Sequence, residues 1–445
     1  MKTAFVDYYR CPEELVNLEV MTPLKDRLGF FRFGTNSTCY GLCADAYTCD
    51  HTNGELRDAL PNVVVSTGNV RLPFDLNEVV DNLRLERYSS VGKGCHGFKV
   101  RDILKDAYYM ARPFTPAFLR TTVQRLYFRG WKQINFPSWP LDTSVDSLLQ
   151  SLMLLLLRSN NRESIPFIWF WPNGFSSCAI MTHDVETETG RTFCSYMMDL
   201  DDSVGIKSSF QIVPERRYRV SGSFLRLLSA RGFEINIHDL HHDGQLFRSR
   251  KSFEVKAKTI NRYAKDYGAQ GFRAGAMYRH PEWLKDLEVS YDMSIPNVAH
   301  IEPQRGGCCT VLPYFIGDIL ELPLTTTQDW ALYYVLRDPT LNIWKHQIDL
   351  IIAQHGLISF IVHPDYTISS KATQLYRTLL EHLSVLRAGG KLWIALPREV
   401  NTWWRQRAHM RLVHDQNRWT IEGEGKHRAR IAYASLVDGK LTYNV

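Results

Sequence analysis

Cys178-Ala-Ile-Met-Thr-His-Asp-Val-Glu186 is the stretch that decides how this chain is read. Its apolar start, Cys178 to Met181, predicts a buried strand. The run then ends in four groups able to bind a metal or move a proton: Thr182, His183, Asp184 and Glu186. Polar groups at the carboxyl end of a buried strand are where α/β enzymes place their chemistry. Comparable strand ends recur at Phe233 to His242, Gly271 to Gly275 and Leu357 to Asp365, and the four read as one site.

Downstream of this stretch the pattern alternates β and α. Strands are predicted at Lys207 to Val213, Phe233 to Ile237, from Phe272, at Ile319 to Leu324, Leu357 to Val362 and Leu392 to Leu396. Helices are predicted at Ser223 to Arg231, Ser252 to Tyr267, Pro281 to Leu287, Asn342 to His355, Lys371 to Arg387 and Glu399 to Met410. Repeated β/α units imply an α/β fold with a parallel sheet, open or closed into a barrel.

The chemistry sits at the strand ends. His238 and His242 follow the alternating run Phe233 to Ile237, and a turn there would aim both imidazoles at one ion. A carboxylate from a neighbouring strand would complete a two-His, one-carboxylate set, leaving a position open for water or substrate. Asp184 and Glu186, two apart, face the same side of a continuing strand. One can bind the ion while the other takes a proton from water activated by it, as metal-assisted hydrolysis requires. Arg273 in Gly271-Phe-Arg-Ala-Gly275 would hold the catalytic carboxylate ionised, with small residues beside it leaving room for substrate. His363, after Leu357-Ile-Ser-Phe-Ile-Val, would protonate the leaving group. Asp329 would orient it, with Glu321 as the competing partner, and Trp330 would wall the pocket.

In this order the motifs resemble the polysaccharide deacetylases, the NodB-homology carbohydrate esterases. The matching segments are Thr182 to Glu186, His238 to His242, Gly271 to Gly275, Gln328-Asp-Trp330 and Phe360-Ile-Val-His363, within residues 175–400. Gly271-Phe-Arg and Val362-His-Pro-Asp-Tyr are similar to an uncharacterised bacterial branch. The resemblance implies a distorted (β/α) barrel of about seven strands and a divalent metal, zinc above others. It implies hydrolysis of the N-acetyl group of an amino sugar, glycan precursor or polysaccharide. Asp184 becomes the base, Glu186, His238 and His242 the metal ligands, Arg273 the partner of the base and His363 the acid. The family's first motif carries adjacent aspartates, whereas this chain has Asp-Val-Glu. A register slipped by one would make His183 the base and Asp184 a ligand. A related C–N hydrolase on a non-sugar amide, and a catalytically silent carbohydrate-binding protein on the same barrel, are the competing readings.

The remaining chain divides into a β-rich accessory region (1–95), a helical linker region (96–170), the barrel (171–410) and a small C-terminal β element (411–445). In the first, strand-like runs occur at Phe30 to Phe33, Val63 to Ser66 and Leu83 to Tyr88. In the second, helices are predicted at Lys99 to Met110, Pro116 to Phe128 and Leu148 to Leu157, the last preceded by capping residues in Asp142 to Asp146. Basic and aromatic residues alternate over 112–132, a stretch that could meet a membrane surface or a protein partner but reads better as a helix packed on the barrel. Strands are predicted at Arg418 to Glu422, Arg428 to Ala434 and Leu441 to Asn444.

Bulk properties exclude little else. Fifty-three basic and 47 acidic residues among 445 give +6, too weak and dispersed to indicate nucleic acid. Nine cysteines without regular spacing predict reduced thiols and a cytoplasmic setting. Cys39, Cys43 and Cys49 with His51 match no zinc spacing, and Cys308-Cys309 read as loop thiols. The N-terminus lacks an apolar signal core, and the longest apolar run, Leu152 to Leu157, is too short to span a bilayer.

Overall fold

The computed structural model describes residues 3–44, 48–52, 54–90, 126–416 and 418–445. Its centre is a curled sheet of nine strands. They are β1 (Ser177–Val185), β2 (Ser209–Ile212), β3 (Glu234–His238), β4 (Gly271–Arg273), β5 (Tyr291–Asp292), β6 (Tyr314–Ile316), β7 (Ile319–Glu321), β8 (Leu357–Ile361) and β9 (Leu392–Ile394). The spatial order is 6-7-5-4-3-2-1-8, with β9 also on β1. All pairings are parallel except β6 with β7. The fold is therefore α/β, with a distorted barrel as expected.

Two features account for the strands beyond the expected seven. β5 has only two residues, too few for a periodicity to show, and β6 doubles back against β7 as an antiparallel hairpin. Between β7 and β8 the curl is bridged by side chains. Thr325 Oγ1 donates to the Leu357 carbonyl at 2.6 Å and Thr326 Oγ1 to that of Ser359 at 2.7 Å. Threonine hydroxyls here meet backbone groups that would otherwise be buried unpaired.

The two-residue period of β1 sorts its side chains. Ala179, Met181 and Val185 face outward. They pack under helices α1 (Glu188–Ser203), α2 (Gly222–Ala230), α3 (Asn342–Ala353) and α4 (Ser370–Ala388), through Met197, Leu228, Trp344 and Leu379 among others. Cys178 and Ile180 face inward, where they meet Tyr291, Met293, Leu320 and Leu322. This plug fills the amino end of the barrel, and the carboxyl end is left to polar residues.

Outside the sheet several expectations change. Leu83 to Tyr88 is not a strand: Leu76–Arg84 is a helix, its start capped by Asp75, which accepts from the amides of Asn77 and Glu78. Leu76, Val79, Val80 and Leu83 are buried at helical spacing, and that burial outweighs the local β propensity. Pro281–Asp286 is a 3₁₀ rather than an α-helix. The predicted helix at 99–110, that at 116–128 as far as residue 125, and the basic-aromatic run up to 125 lie outside the described residues. Of the remainder of that run, Phe128 is buried against Trp330, while Leu126 and Tyr127 are exposed. Helix Ser144–Ser159 is buried, but Asp146 does not cap it: it accepts from Thr310 Oγ1 at 2.8 Å and the Val311 amide at 3.0 Å. Ser164–Ile168, inside the segment predicted helical, is a strand paired with Ile431–Val437, which pairs in turn with Lys440–Asn444. Cys308 and Cys309 are buried. Among the described residues Cys39, Cys43, Cys49 and His51 form no ligand group.

Candidate metal centre

Glu186, His238 and His242 each bring a ligand atom into one cluster, all within 4.8 Å of one another. Glu186 lies one residue past β1, its carbonyl accepting from Arg217 Nε at 2.9 Å, while Tyr218 Oη donates to the Val185 carbonyl at 2.8 Å. The 215–218 segment thus pins the end of the strand. His238 closes β3, and the chain leaves through a tight coil in which Asp239 (φ 56°) and His242 (φ 52°) take left-handed conformations. That coil returns His242 to His238, with ring centroids 4.8 Å apart.

The coil fits only because residue 275 is glycine. A Cβ there would lie 2.5 Å from Asp239 Oδ2 and 3.0 Å from His242 Cδ2. The expected space beside Arg273 is therefore occupied by the histidine turn, and Gly275 accommodates protein instead of substrate.

Donor chemistry fits a cation. His238 Nδ1 faces the Arg273 carbonyl at 3.2 Å, and a carbonyl can only accept, so Nδ1 carries a proton and Nε2 is the nitrogen left to face an ion. Nε2 is buried without a hydrogen-bond partner, as is Nδ1 of His242, while His242 Nε2 has only the Glu186 carboxylate in reach, off the hydrogen-bonding direction. Glu186 Oε1 is 2.9 Å from His242 Nε2 and 3.6 Å from His238 Nε2. Buried orphan nitrogens around a carboxylate are costly without an ion and are what a zinc-type site supplies.

Two further pairs flank this cluster. Arg273 Nη1 donates to Asp184 Oδ1 at 2.6 Å and to Thr182 Oγ1 at 2.7 Å, and its Nε donates to the Met293 carbonyl at 3.1 Å. Burial pushes the Asp184 carboxyl up, but the guanidinium and the nearby histidines outweigh it and hold the group below its ordinary value. On the other side, Asp329 accepts from His363 Nδ1 at 2.7 Å and from its amide at 2.7 Å. His363 Nε2 is 3.4 Å from Glu186 Oε1. Burial disfavours the imidazolium, yet Asp329 and Glu186 together hold the His363 pKa well above the ordinary range. Asp329 is thus the partner of His363. Glu321 lies elsewhere, accepting from the Ile295 amide at 3.0 Å.

His183 faces away from the centre. Its Nδ1 meets the Val362 carbonyl at 3.0 Å and its Nε2 meets Asp201 at 3.2 Å, with Tyr376 and Ser208 also bound to Asp201. The slipped register, with His183 as base, has no geometric support. No local pattern marks the hydrogen bond that Arg273 donates to Thr182. Glu302 is a further buried carboxyl, which burial pushes up to about 7 against opposing Gln328, Arg279 and His363. No local pattern marks Glu302, because its neighbours come from distant segments.

Comparison with solved structures gives distant likenesses. One is to a protein from Mycobacterium smegmatis assigned as a polysaccharide deacetylase: 15% identity, 54% of this chain and 93% of that one covered, TM-score 0.44. Another is to PuuE allantoinase: 12% identity, 53% and 92% covered, TM-score 0.43. A third is to a family 4 acetyl xylan esterase from Clostridium thermocellum bound to cobalt: 13% identity, 51% and 91% covered, TM-score 0.33. No family model matches the chain, and no curated protein does.

Proposed function

We infer that this protein is a metal-dependent hydrolase that removes the acetyl group from an N-acetylated sugar or glycan precursor. The observation that carries the reading is the convergence of Glu186, His238 and His242 between an Arg-held carboxylate and an Asp-held histidine. Hydrolysis of an amide needs a base for the attacking water and an acid for the departing amine.

In this reading Glu186, His238 and His242 hold the ion, zinc above others. Such an ion supplies Lewis-acid polarisation of the amide carbonyl and a lower pKa for water. Asp184, kept ionised by Arg273, accepts the proton of the attacking water. His363, kept protonated by Asp329, donates one to the amine nitrogen as the C–N bond breaks. Arg273 and Asp329 position these two groups and set their charge. The eight described cysteines are all free, seven of them buried, which favours a reducing cytoplasmic setting. No described helix is long and apolar enough to cross a membrane.

The test pairs metal analysis with acetate release from N-acetylglucosamine oligomers, on the wild type and on His238→Ala and His242→Ala. The reading expects one bound ion and acetate release in the wild type only. Equal metal content in all three proteins would overturn the ligand assignment. Metal binding and sugar binding without acetate release would favour a silent carbohydrate binder.

A further inference from the structure

Beside His363 the structure holds a cavity of about 320 Å³, lined in part by Tyr333, Tyr334, Arg337, Tyr366 and Lys371. It adjoins the candidate centre through Tyr366, whose ring centroid lies 4.9 Å from that of His363 and 5.4 Å from that of Tyr334. Tyrosine faces of this kind stack on the apolar faces of pyranose rings. The volume lies in the range of small-ligand pockets.

Its rim is cationic. Arg337 and Lys371 are exposed, and neither forms an ion pair with a described residue. The nearest acid in sequence, Asp338, is engaged elsewhere: its Oδ1 accepts from the Thr340 amide at 3.1 Å and from the Thr340 hydroxyl at 2.5 Å. Asp365 Oδ2 accepts from Thr187 Oγ1 at 3.3 Å. Arg337 sits at φ 56°, just past the wide turn Ala331–Leu336. Wide turns of this type recur at functional sites.

We propose that this cavity is a subsite for an oxyanion-bearing sugar unit of the substrate, with the ring against Tyr334 and Tyr366 and the anion between Arg337 and Lys371. The proposal rests on the hydrolase reading for its link to the reaction, but the binding it asserts is measurable without turnover. The anion is a phosphate or a carboxylate, since both suit a guanidinium and an ammonium. A substrate so built is an N-acetylated sugar phosphate or a uronate-containing oligosaccharide.

The test titrates the full chain with four probes at low salt: N-acetylglucosamine, N-acetylglucosamine 1-phosphate, a disaccharide of N-acetylglucosamine and glucuronic acid, and inorganic phosphate. At least one anionic sugar should bind about tenfold more tightly than the neutral one, the gain that two exposed charge contacts supply. Which anionic sugar gains identifies the anion. Arg337→Gln combined with Lys371→Gln should erase the gain, and Tyr334→Ala should weaken all three sugars, with melting curves confirming that both variants fold. His238→Ala should keep the gain. Equal affinity for neutral and anionic sugars would overturn the proposal. So would a gain that survives the double charge variant, or inorganic phosphate binding as tightly as the sugar phosphate. Absent acetate release alongside an intact binding pattern would count against the hydrolase reading alone.

Discussion

Replacing Arg273 with methionine isolates what the guanidinium does for Asp184. Both side chains are buried, and Nη1 lies 2.6 Å from Oδ1. Removing one partner of a buried pair costs about 3–5 kcal/mol, because the remaining charge is left uncompensated. The protein can escape that cost by protonating Asp184. At about 1.36 kcal/mol per pH unit above an unfolded value near 3.9, protonation costs roughly 1.5 kcal/mol at pH 5 and over 5 kcal/mol at pH 8. At pH 5 the charge-related loss is therefore capped near 1.5 kcal/mol, and at pH 8 the whole 3–5 kcal/mol is felt.

The signs follow from linkage. In the wild type the Asp184 pKa is lowered, so its contribution is present above the unfolded value and is lost only as pH falls through the lower folded one. Between pH 5 and 8 it adds no slope. In Arg273→Met the folded pKa is raised, and stability is lost as pH rises from the unfolded toward the folded value. The deficit of the variant should grow by about 1.5–3.5 kcal/mol from pH 5 to pH 8. The assay is urea denaturation in chelator at both pH values, repeated on an Asp184→Asn background. Histidine titrations that do not sense Asp184 then cancel in the cycle, and those of His238 and His363 enter as part of its coupling. On that Asp184→Asn background the lost bonds to Thr182 and Met293 should remain, with only the smaller pH dependence that losing the guanidinium gives neighbouring His238. A deficit equal at pH 5 and pH 8, or one whose slope is undiminished by Asp184→Asn, would refute the claim that the guanidinium maintains this carboxylate.

Other consequences are simpler to read. Zinc at 1,000 times its dissociation constant should stabilise the folded chain by about 4 kcal/mol. With an unfolding entropy of roughly 2.1 cal/mol/K per residue over 445 residues, that is a rise in Tm of about 4 °C for cooperative unfolding, absent in His242→Ala. Gly275→Ala places a methyl against Asp239 and the His242 ring, so zinc affinity measured by competition with a chelating dye should fall about 10–100-fold while the far-UV spectrum is unchanged. Asp75→Ala removes the cap of Leu76–Arg84 and should cost about 0.5–2 kcal/mol in urea denaturation, with no effect on zinc binding.

Much of the barrel is written in local pattern. β1, β3 and β8 are continuous or alternating apolar runs, and each ends in residue types a metal centre needs, so spacing singles out Asp184, Glu186, His238, His242 and His363 as candidates. What failed locally was short or shaped by distant packing. β5 is two residues long, and Leu83 to Tyr88 reads locally as a strand although a helix capped at Asp75 runs through Leu83. The strand Ser164–Ile168 finds its partner some 265 residues downstream, in Ile431–Val437, and no local window contains that information.

The choice between His183 and Asp184 shows where pattern ends and environment begins. On a strand the two must face opposite ways, so one is inside the barrel and the other beneath the helices. Sequence cannot say which, because both can serve as base or ligand. The answer lies in what waits on each side. Outward, Asp201, Tyr376 and the Val362 carbonyl meet an imidazole at both nitrogens, a set that would repel a carboxylate. Inward, Arg273 and Thr182 offer a guanidinium and a hydroxyl, a set that would leave an imidazole beside an unpaired buried cation. Exchanging the two residues would put a bad contact on both faces at once. The register of β1, and with it the identity of the carboxylate at the centre, is therefore fixed by two buried polar environments of opposite character.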